Sequence, residues 1–189
     1  WPKFTLPTLS YHEGVPGHHL QISIMQESKD IPTLRKLGFF SAYSEGWALY
    51  AERLCKEMGA YPDIASDFMR LDAELFRAAR LVVDTGIHAQ GWTEERAVDY
   101  LIKTGRQSPE SARSEIRRYI TLPGQATGYK IGMLKIVELR RKAVSVLGPK
   151  FDIKGFHDLL IASGSQPLSI LERRVNDWVA TSSQRQALR

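Results

Sequence analysis

The sequence contains one cysteine, Cys55, among its 189 residues, so an internal disulfide is impossible and cysteine usage fits any compartment. It has no apolar run long enough to span a bilayer and no secretory signal at its N-terminus. The chain starts at Trp1 rather than Met. We therefore expect it to be the C-terminal part of a longer protein, periplasmic or secreted if a signal peptide lies upstream.

Basic residues exceed acidic residues only slightly, which gives a formal net charge of +5. The basic residues are spread along predicted helices, as at 140–142, which is typical of a solvated helix face rather than a nucleic-acid-binding surface. A composition of 43% hydrophobic and 25% charged residues is ordinary for one globular domain with a core. We predict a single domain over residues 1–189, with no nucleic-acid partner and no membrane span.

Helical periodicity runs through nearly the whole chain, without internal repeats or low-complexity linkers. The third predicted helix carries an apolar stripe of Ile64, Phe68, Leu71 and Leu75. Thr93 is a predicted helix cap, and Ser108 caps another helix with Pro109 in its first turn. The predicted helices cover about 9–27, 43–58, 62–89, 93–101, 108 onward, 125–147, 154–162 and 167–181, with a connection at 30–38 and a short extended piece at 39–42. We therefore predict an all-α fold.

The segment 11–21 reads Tyr-His-Glu-Gly-Val-Pro-Gly-His-His-Leu-Gln, and Glu45 follows His18 by 27 residues. Two histidines and a glutamate are typical ligands of a zinc hydrolase, in which an open fourth position holds a water. Glu13 directly follows His12, as the general base follows the first ligand in H-E-x-x-H enzymes. Histidines that only form hydrogen bonds are the alternative interpretation.

The spacing of these histidines is H-E-x-x-x-x-H, two residues longer than the common motif. On a regular helix six residues leave the second side chain about 120° off the face and about 9 Å along the axis, too far to share one zinc. Pro16 and two flanking glycines disfavour a regular helix here. We infer a bulge between His12 and His18 that restores a common face. His19 lies about 10.5 Å from His12 on a regular helix and is predicted to be a neighbour rather than a ligand.

Glu45 belongs to a predicted helix with apolar residues on two sides, which predicts that the helix is largely buried. A buried carboxylate needs a partner or a metal, and an ordinary salt bridge is the alternative. Glu52, two turns further along, could orient a ligand histidine, but a surface acid is the interpretation we favour.

Four sequence blocks, in this order, resemble the bacterial "domain of unknown function 885" family: His-Glu-Gly-Val-Pro-Gly-His-His-Leu-Gln at 12–21, Glu-Gly-Trp-Ala-Leu-Tyr-Ala-Glu at 45–52, Asp-Thr-Gly-Ile-His at 84–88 with Gly-Trp-Thr at 91–93, and Pro-Gly-Gln-Ala-Thr-Gly-Tyr-Lys-Ile-Gly at 123–132. That family is zinc-peptidase-like and similar to helical gluzincins such as thimet oligopeptidase and neurolysin. The resemblance implies a multi-helix zincin-like catalytic domain, with Zn²⁺ held by His12, His18 and Glu45 and with Glu13 as base. Family members are much longer, which implies that missing N-terminal helices complete the substrate cleft.

Three further residues, His88, Tyr129 and Tyr119, are candidates for contact with the substrate. Arg80, Asp84 and His88 follow one another at four-residue steps, so Asp84 could fix the tautomer of His88 and leave it to contact a substrate carbonyl or oxyanion. A structural ion-pair ladder is the alternative.

Helical gluzincins use a tyrosine as a donor to the tetrahedral intermediate, and the resemblance makes Tyr129 the first candidate and Tyr119 the second. A half-buried tyrosine with a satisfied hydroxyl is the alternative for both.

Gly124, Gly128 and Gly132 form a ridge at four-residue spacing. Each glycine inside a helix costs about 1 kcal/mol relative to alanine, and close approach of another helix would offset that cost.

These observations predict a zinc-dependent peptidase that hydrolyses a peptide substrate with an activated water, using Glu13, Tyr129 and His88. A zinc hydrolase for another amide or ester is the first alternative. The second is a non-catalytic helical module, against which the presence of Glu13 argues because a purely structural zinc site needs no base.

Overall fold

The computed structural model describes the backbone of residues 3–187 and the side chains of residues 3–184. Its regular elements within that range are all helices, which confirms the predicted all-α class. None of these helices combines the length and the apolar character needed to cross a membrane. The helices are α1 (Leu6–Glu13), α2 (His18–Glu27), α3 (Thr33–Leu37), α4 (Ser41–Glu57), α5 (Ile64–Gln90), α6 (Glu94–Lys103), α7 (Pro109–Thr121), α8 (Gln125–Leu147), α9 (Ile153–Ile161) and α10 (Leu168–Ala187), with short 3-10 turns at Lys3–Thr5 and Gly148–Lys150.

Side-chain caps set several of the helix starts. Thr93 accepts a hydrogen bond from the backbone N–H of Arg96 at the start of α6, and Ser108 accepts one from Ser111 at the start of α7. Each cap satisfies one of the backbone donors that the first turn of a helix leaves unpaired. Both predicted caps are confirmed.

The predicted first helix over 9–27 is wrong, because residues 14–17 break it completely and leave α1 and α2 as separate helices. The predicted connection over 30–38 contains the short helix α3. The predicted extended piece over 39–42 is shorter than expected, because Phe40 is its last extended residue and α4 begins at Ser41. The stripe on α5 does not face the core. Its members Ile64, Phe68, Leu71 and Leu75 are 90%, 50%, 51% and 40% exposed.

The closest approach of two backbones joins α4 and α8, which pack along one another. A Cβ atom placed on Gly132 would lie 1.8 Å from the carbonyl oxygen of Ala42, and one on Gly46 would lie 2.4 Å from the Cα of Gly132. Gly128 also faces α4, at Ser41. Close helix approach at Gly128 and Gly132 agrees with the predicted ridge, whereas Gly124 lies before α8 in a left-handed conformation.

Two apolar cores both include residues of α8. The larger core joins α4, α8, α9 and α10, and the smaller joins α5, α6 and α7 with the start of α8. The largest fully buried side chains are Tyr50, Tyr119, Phe156, Leu49 and Leu101. Because α8 contributes to both cores and packs against both α4 and α5, it fixes these two helices relative to each other.

Candidate metal centre

The break between α1 and α2 is a defined structure rather than a helical bulge. The peptide bond between Val15 and Pro16 is cis, and the indole N–H of Trp47 on α4 donates to the carbonyl oxygen of Pro16 at 2.9 Å. Gly17 packs so tightly that a Cβ atom there would lie 1.9 Å from the carbonyl oxygen of His12. The chain therefore turns back on the end of α1, which places His12 at one helix end and His18 at the next helix start.

The two histidines meet Glu45 of α4. His12 Nε2 lies 3.4 Å from Glu45 Oε2, and His18 Nε2 lies 3.1 Å from the same oxygen. The rings of His12 and His18 are perpendicular, with centroids 4.9 Å apart. One donor atom from each of the three residues lies within 4.8 Å of the others.

This donor set fits a zinc ion. Two ligand atoms on a tetrahedral zinc with bonds of about 2 Å lie roughly 3.3 Å apart, which matches the two distances to Glu45. Two imidazoles and one carboxylate are also the ligand types of catalytic rather than structural zinc sites, because they leave a fourth position open. His19 is exposed and outside the group, as predicted.

Glu52 orients His12 from the far side of the ring. Glu52 is 1% exposed, and its Oε1 lies 2.7 Å from His12 Nδ1. Its other oxygen accepts a hydrogen bond of 2.7 Å from the hydroxyl of Thr8, which in turn lies 3.3 Å from the Tyr61 hydroxyl. The prediction of a surface acid is wrong, because the two-turn spacing from Glu45 returns Glu52 to the same buried side of α4. A carboxylate that accepts from Nδ1 leaves Nε2 as the atom that faces a metal.

The protonation of the centre reflects burial and hydrogen bonding together. Burial disfavours the charged form of Glu45, but hydrogen bonds with His12 and His18 outweigh it and lower the pKa of Glu45 to about 2. Burial likewise disfavours protonated His12, yet hydrogen bonds with Glu45 and Glu52 raise the pKa of His12 above its ordinary value. Both shifts favour an ionised Glu45 beside a protonated His12.

The three candidate ligands open onto a cavity of about 510 Å³. Glu13, the last residue of α1, and Tyr129 of α8 both line it. The ring of Tyr129 stacks on that of His12 with centroids 6.2 Å apart. Its hydroxyl accepts a hydrogen bond of 3.4 Å from the Gln125 side chain. The remaining lining residues are Ile22, Phe39, Ser44, Arg77 and Arg80.

The structure does not bring His88 to this cavity. One ring nitrogen of His88 lies 3.0 Å from the carbonyl oxygen of Tyr119, near the end of α7. Asp84 accepts from the backbone N–H of Gly124 at 3.1 Å, and Arg80 pairs with Glu115 at 3.1 Å. The predicted contact between Asp84 and His88 and the alternative ion-pair ladder are both absent from the contacts of the described residues, because each of the three side chains binds instead to α7 or to the loop before α8.

Tyr119, the second tyrosine candidate, is fully buried in the smaller core. Its hydroxyl donates to Glu115 at 2.6 Å, and burial raises its pKa above the ordinary range. It is not among the residues that line the cavity. Of the two tyrosines, only Tyr129 therefore has access to a molecule bound beside His12.

Sequence reasoning missed several residues of the site. Thr8 lies four residues before His12 on α1, so the helical period could have identified it. Ser44 precedes Glu45, and its hydroxyl lies 3.4 Å from His18 Nδ1. Arg77 reaches the cavity from α5. The sequence around it does not indicate this position, because only the packing of α5 against α8 brings Arg77 to the cavity.

Comparison with known proteins places the chain in a family. The model of the family described as "Bacterial protein of unknown function (DUF885)" matches residues 1–175. No protein among those with curated functions matches the chain.

Two solved structures share its fold, and both are described as "putative lipoprotein". The one from Colwellia psychrerythraea is 48% identical over 95% of this chain, with a TM-score of 0.92. The one from Shewanella oneidensis, of unknown function, is 30% identical over 90% of this chain, with a TM-score of 0.82. The chain covers 31% of the length of each. By its sequence match and its fold, the chain belongs to the DUF885 family.

Proposed function

We propose that this chain carries the active site of a zinc-dependent peptidase. The observation that supports the proposal is the convergence of His12, His18 and Glu45, with donor atoms within 4.8 Å, in the wall of a cavity that Glu13 also lines. A metal site that opens onto a cavity beside a free carboxylate has the parts of metal-assisted hydrolysis. A structural zinc site would instead be closed by four protein ligands.

In the proposed reaction, zinc held by His12, His18 and Glu45 supplies Lewis-acid activation of water and of the substrate carbonyl. Glu13 accepts a proton as the water oxygen adds to the carbonyl carbon of the peptide bond. The Tyr129 hydroxyl donates a hydrogen bond to the oxygen that becomes negatively charged. Glu13 then returns its proton to the amide nitrogen as the C–N bond breaks. His88 has no part in this scheme because it lies at Tyr119.

The rest of the protein is proposed to complete the cleft. The chain covers 31% of the length of its two structural relatives, and the outward face of α5 exposes the stripe of Ile64, Phe68, Leu71 and Leu75. An apolar stripe of this kind on a folded domain usually packs against another element. The description of both relatives as lipoproteins also suggests that the protein is exported.

Metal content is the first test of this proposal. We expect the purified chain to bind about one zinc, as a single three-ligand site predicts. The variant His18→Ala should lose it, whereas His19→Ala should keep it, because His19 is the exposed neighbour of the ligand. Zinc is measured by elemental analysis after equilibration with excess metal and gel filtration.

A chain that retains one zinc in His18→Ala would place the metal elsewhere and contradict the assigned ligands. The full-length protein is then assayed with a peptide library. If the chain binds zinc as predicted but the full-length protein hydrolyses no peptide, the peptidase reaction is contradicted and the metal site is retained.

Glu52 should control zinc affinity without touching the metal. The variant Glu52→Gln keeps the shape of the side chain but removes the charge beside His12 Nδ1, so zinc affinity should fall by roughly 10–100-fold. Glu57→Gln is the matched control, because Glu57 lies on the same helix and pairs with Arg53 and Arg140 instead. Competition with a zinc chelator measures both affinities. Equal affinities for the two variants would remove Glu52 from the metal centre.

A further inference from the structure

Two arginines of α5, Arg77 and Arg80, line the same cavity as the metal centre. Both also line an adjoining cavity of about 460 Å³, so they form part of the boundary between the two. Both lie near the ring of Tyr129, which stacks on His12: the Arg80 guanidinium carbon is 4.6 Å from that ring's centroid and the Arg77 guanidinium carbon is 5.9 Å from it.

The guanidinium groups of this pair have few partners within the part of the chain that the structure describes. Arg77 donates one hydrogen bond, of 3.3 Å, to the carbonyl oxygen of Ala73, and it has no ion pair with a described carboxylate. Arg80 donates one, of 3.1 Å, to Glu115. The buried Nε atoms of both have no hydrogen-bond partner. Since a guanidinium carries five N–H donors, most of the donor capacity of the pair is unused.

The two cavities that the arginines line also hold the carboxylates of Glu13, Glu45, Glu52, Asp72 and Glu115, but among the described residues only Glu115 forms an ion pair with either arginine. Glu115 Oε2 accepts from Arg80, from Arg118 at 2.8 Å and from the Tyr119 hydroxyl at 2.6 Å. One negative charge is therefore shared between two guanidinium groups, and Arg77 is left without any. A positive charge in a partly enclosed cavity is costly unless an anion joins it.

The orientation of Arg80 is fixed. Its guanidinium carbon lies 4.2 Å from the centroid of the Phe76 ring and 4.6 Å from that of Tyr129, and the residue is 7% exposed. Contact with aromatic rings engages the faces of the guanidinium plane, so its N–H groups are left to bind in the plane. In-plane binding of two parallel N–H groups is the geometry in which arginine recognises a carboxylate.

We propose that Arg77 and Arg80 form a subsite for a carboxylate of the peptide substrate, an inference that rests on the proposed peptidase function. The carboxylate is either the C-terminal group of a short peptide or the side chain of an acidic residue near the scissile bond. The subsite would hold the substrate across the cavity with its peptide carbonyl toward His12, His18 and Glu45.

The test compares three N-acetylated tetrapeptides: tetra-alanine as the free acid, tetra-alanine as the C-terminal amide, and the amide with one alanine replaced by aspartate. Binding is measured by calorimetry on the zinc-free protein at its full natural length, so that the cleft is complete and the result does not depend on catalysis. The free acid or the aspartate peptide should bind at least about tenfold more tightly than the neutral amide, as charge-assisted hydrogen bonds predict. Whichever carboxylate peptide gains this preference identifies the source of the carboxylate.

The preference should disappear in Arg77→Met and persist in Arg96→Met, a control that removes the same charge from an exposed site on α6. Arg77→Lys, which keeps the charge and the aliphatic stem, should retain only part of it. Equal binding of all three peptides to the unmodified chain, or no binding of any, would overturn the subsite. So would a preference that Arg77→Met leaves intact.

Hydrolysis of the same peptides by the zinc-loaded protein separates this inference from the proposed function. Preferential binding without cleavage would contradict the peptidase and leave the carboxylate subsite in place. Cleavage of all three peptides at equal rates, with equal binding, would support the peptidase and remove the subsite.

Discussion

The variant Glu13→Gln is expected to reduce peptide hydrolysis by about 10²–10⁴-fold, the usual contribution of a general base, while zinc content stays at the unmodified level. Glu13 ends α1 directly after the candidate ligand His12 and lines the cavity onto which the candidate metal centre opens. Glutamine has nearly the same size and keeps the hydrogen-bonding oxygen, but it cannot accept a proton. The loss should therefore appear in kcat rather than in KM, and it is measured with the peptide that the unmodified protein cleaves best.

Glu27→Gln is the control for this experiment, because Glu27 is an exposed acid at the end of the neighbouring helix α2. Its activity should equal that of the unmodified protein. Wild-type kcat in Glu13→Gln would exclude Glu13 as the base. Loss of zinc in the same variant would show instead that Glu13 contributes to holding the metal.

The variant Gly132→Ala is expected to destabilise the fold by at least about 2 kcal/mol, although alanine favours a helix by about 1 kcal/mol over glycine. The added methyl group would lie 1.8 Å from the carbonyl oxygen of Ala42 and 2.6 Å from the Cα of Gly46, so the backbones of α4 and α8 must separate. For a domain of this size the loss corresponds to a fall in Tm of roughly 4–8 °C. Thermal unfolding followed by circular dichroism measures it.

The same separation would move Glu45, the residue before Gly46, and should weaken zinc binding in the folded fraction. Ser145→Ala is the matched control, since it changes an exposed position of α8 and should shift stability by no more than about 0.5 kcal/mol. A Gly132→Ala protein as stable as the control would mean that α4 and α8 tolerate a wider spacing than their contact implies.

The sequence predicted those parts of the fold that depend on neighbouring residues. Caps such as Thr93 and Ser108 act within one helical turn, and the helix around Glu45 is apolar on two sides, so its burial was predictable. The three candidate ligands were proposed from the sequence because few residue types bind zinc, and because the resemblance to the family joined Glu45 to the two histidines although it lies 27 residues beyond His18.

The parts that were not predicted depend on tertiary packing. The exposed stripe of α5 has the period of a buried face, and the sequence of α5 alone does not reveal which of its faces meets α8. Arg77 lines the cavity only because α5 packs against α8. The packing of α5 also places His88 beside the carbonyl oxygen of Tyr119. The break at residues 14–17 was predicted only as an irregularity, since its geometry depends on Trp47 from α4.

The turn between the two histidines also has an evolutionary consequence. Gly17 contributes no donor atom and no charge, but even one carbon atom on it would collide with the carbonyl oxygen of His12. Any mutation that adds a side chain at this position would therefore press on the backbone of His12 and displace a candidate ligand. Selection that maintains the centre should therefore conserve Gly17 as strongly as His12 and His18. The number of positions under this constraint is larger than the number of residues that supply donor atoms.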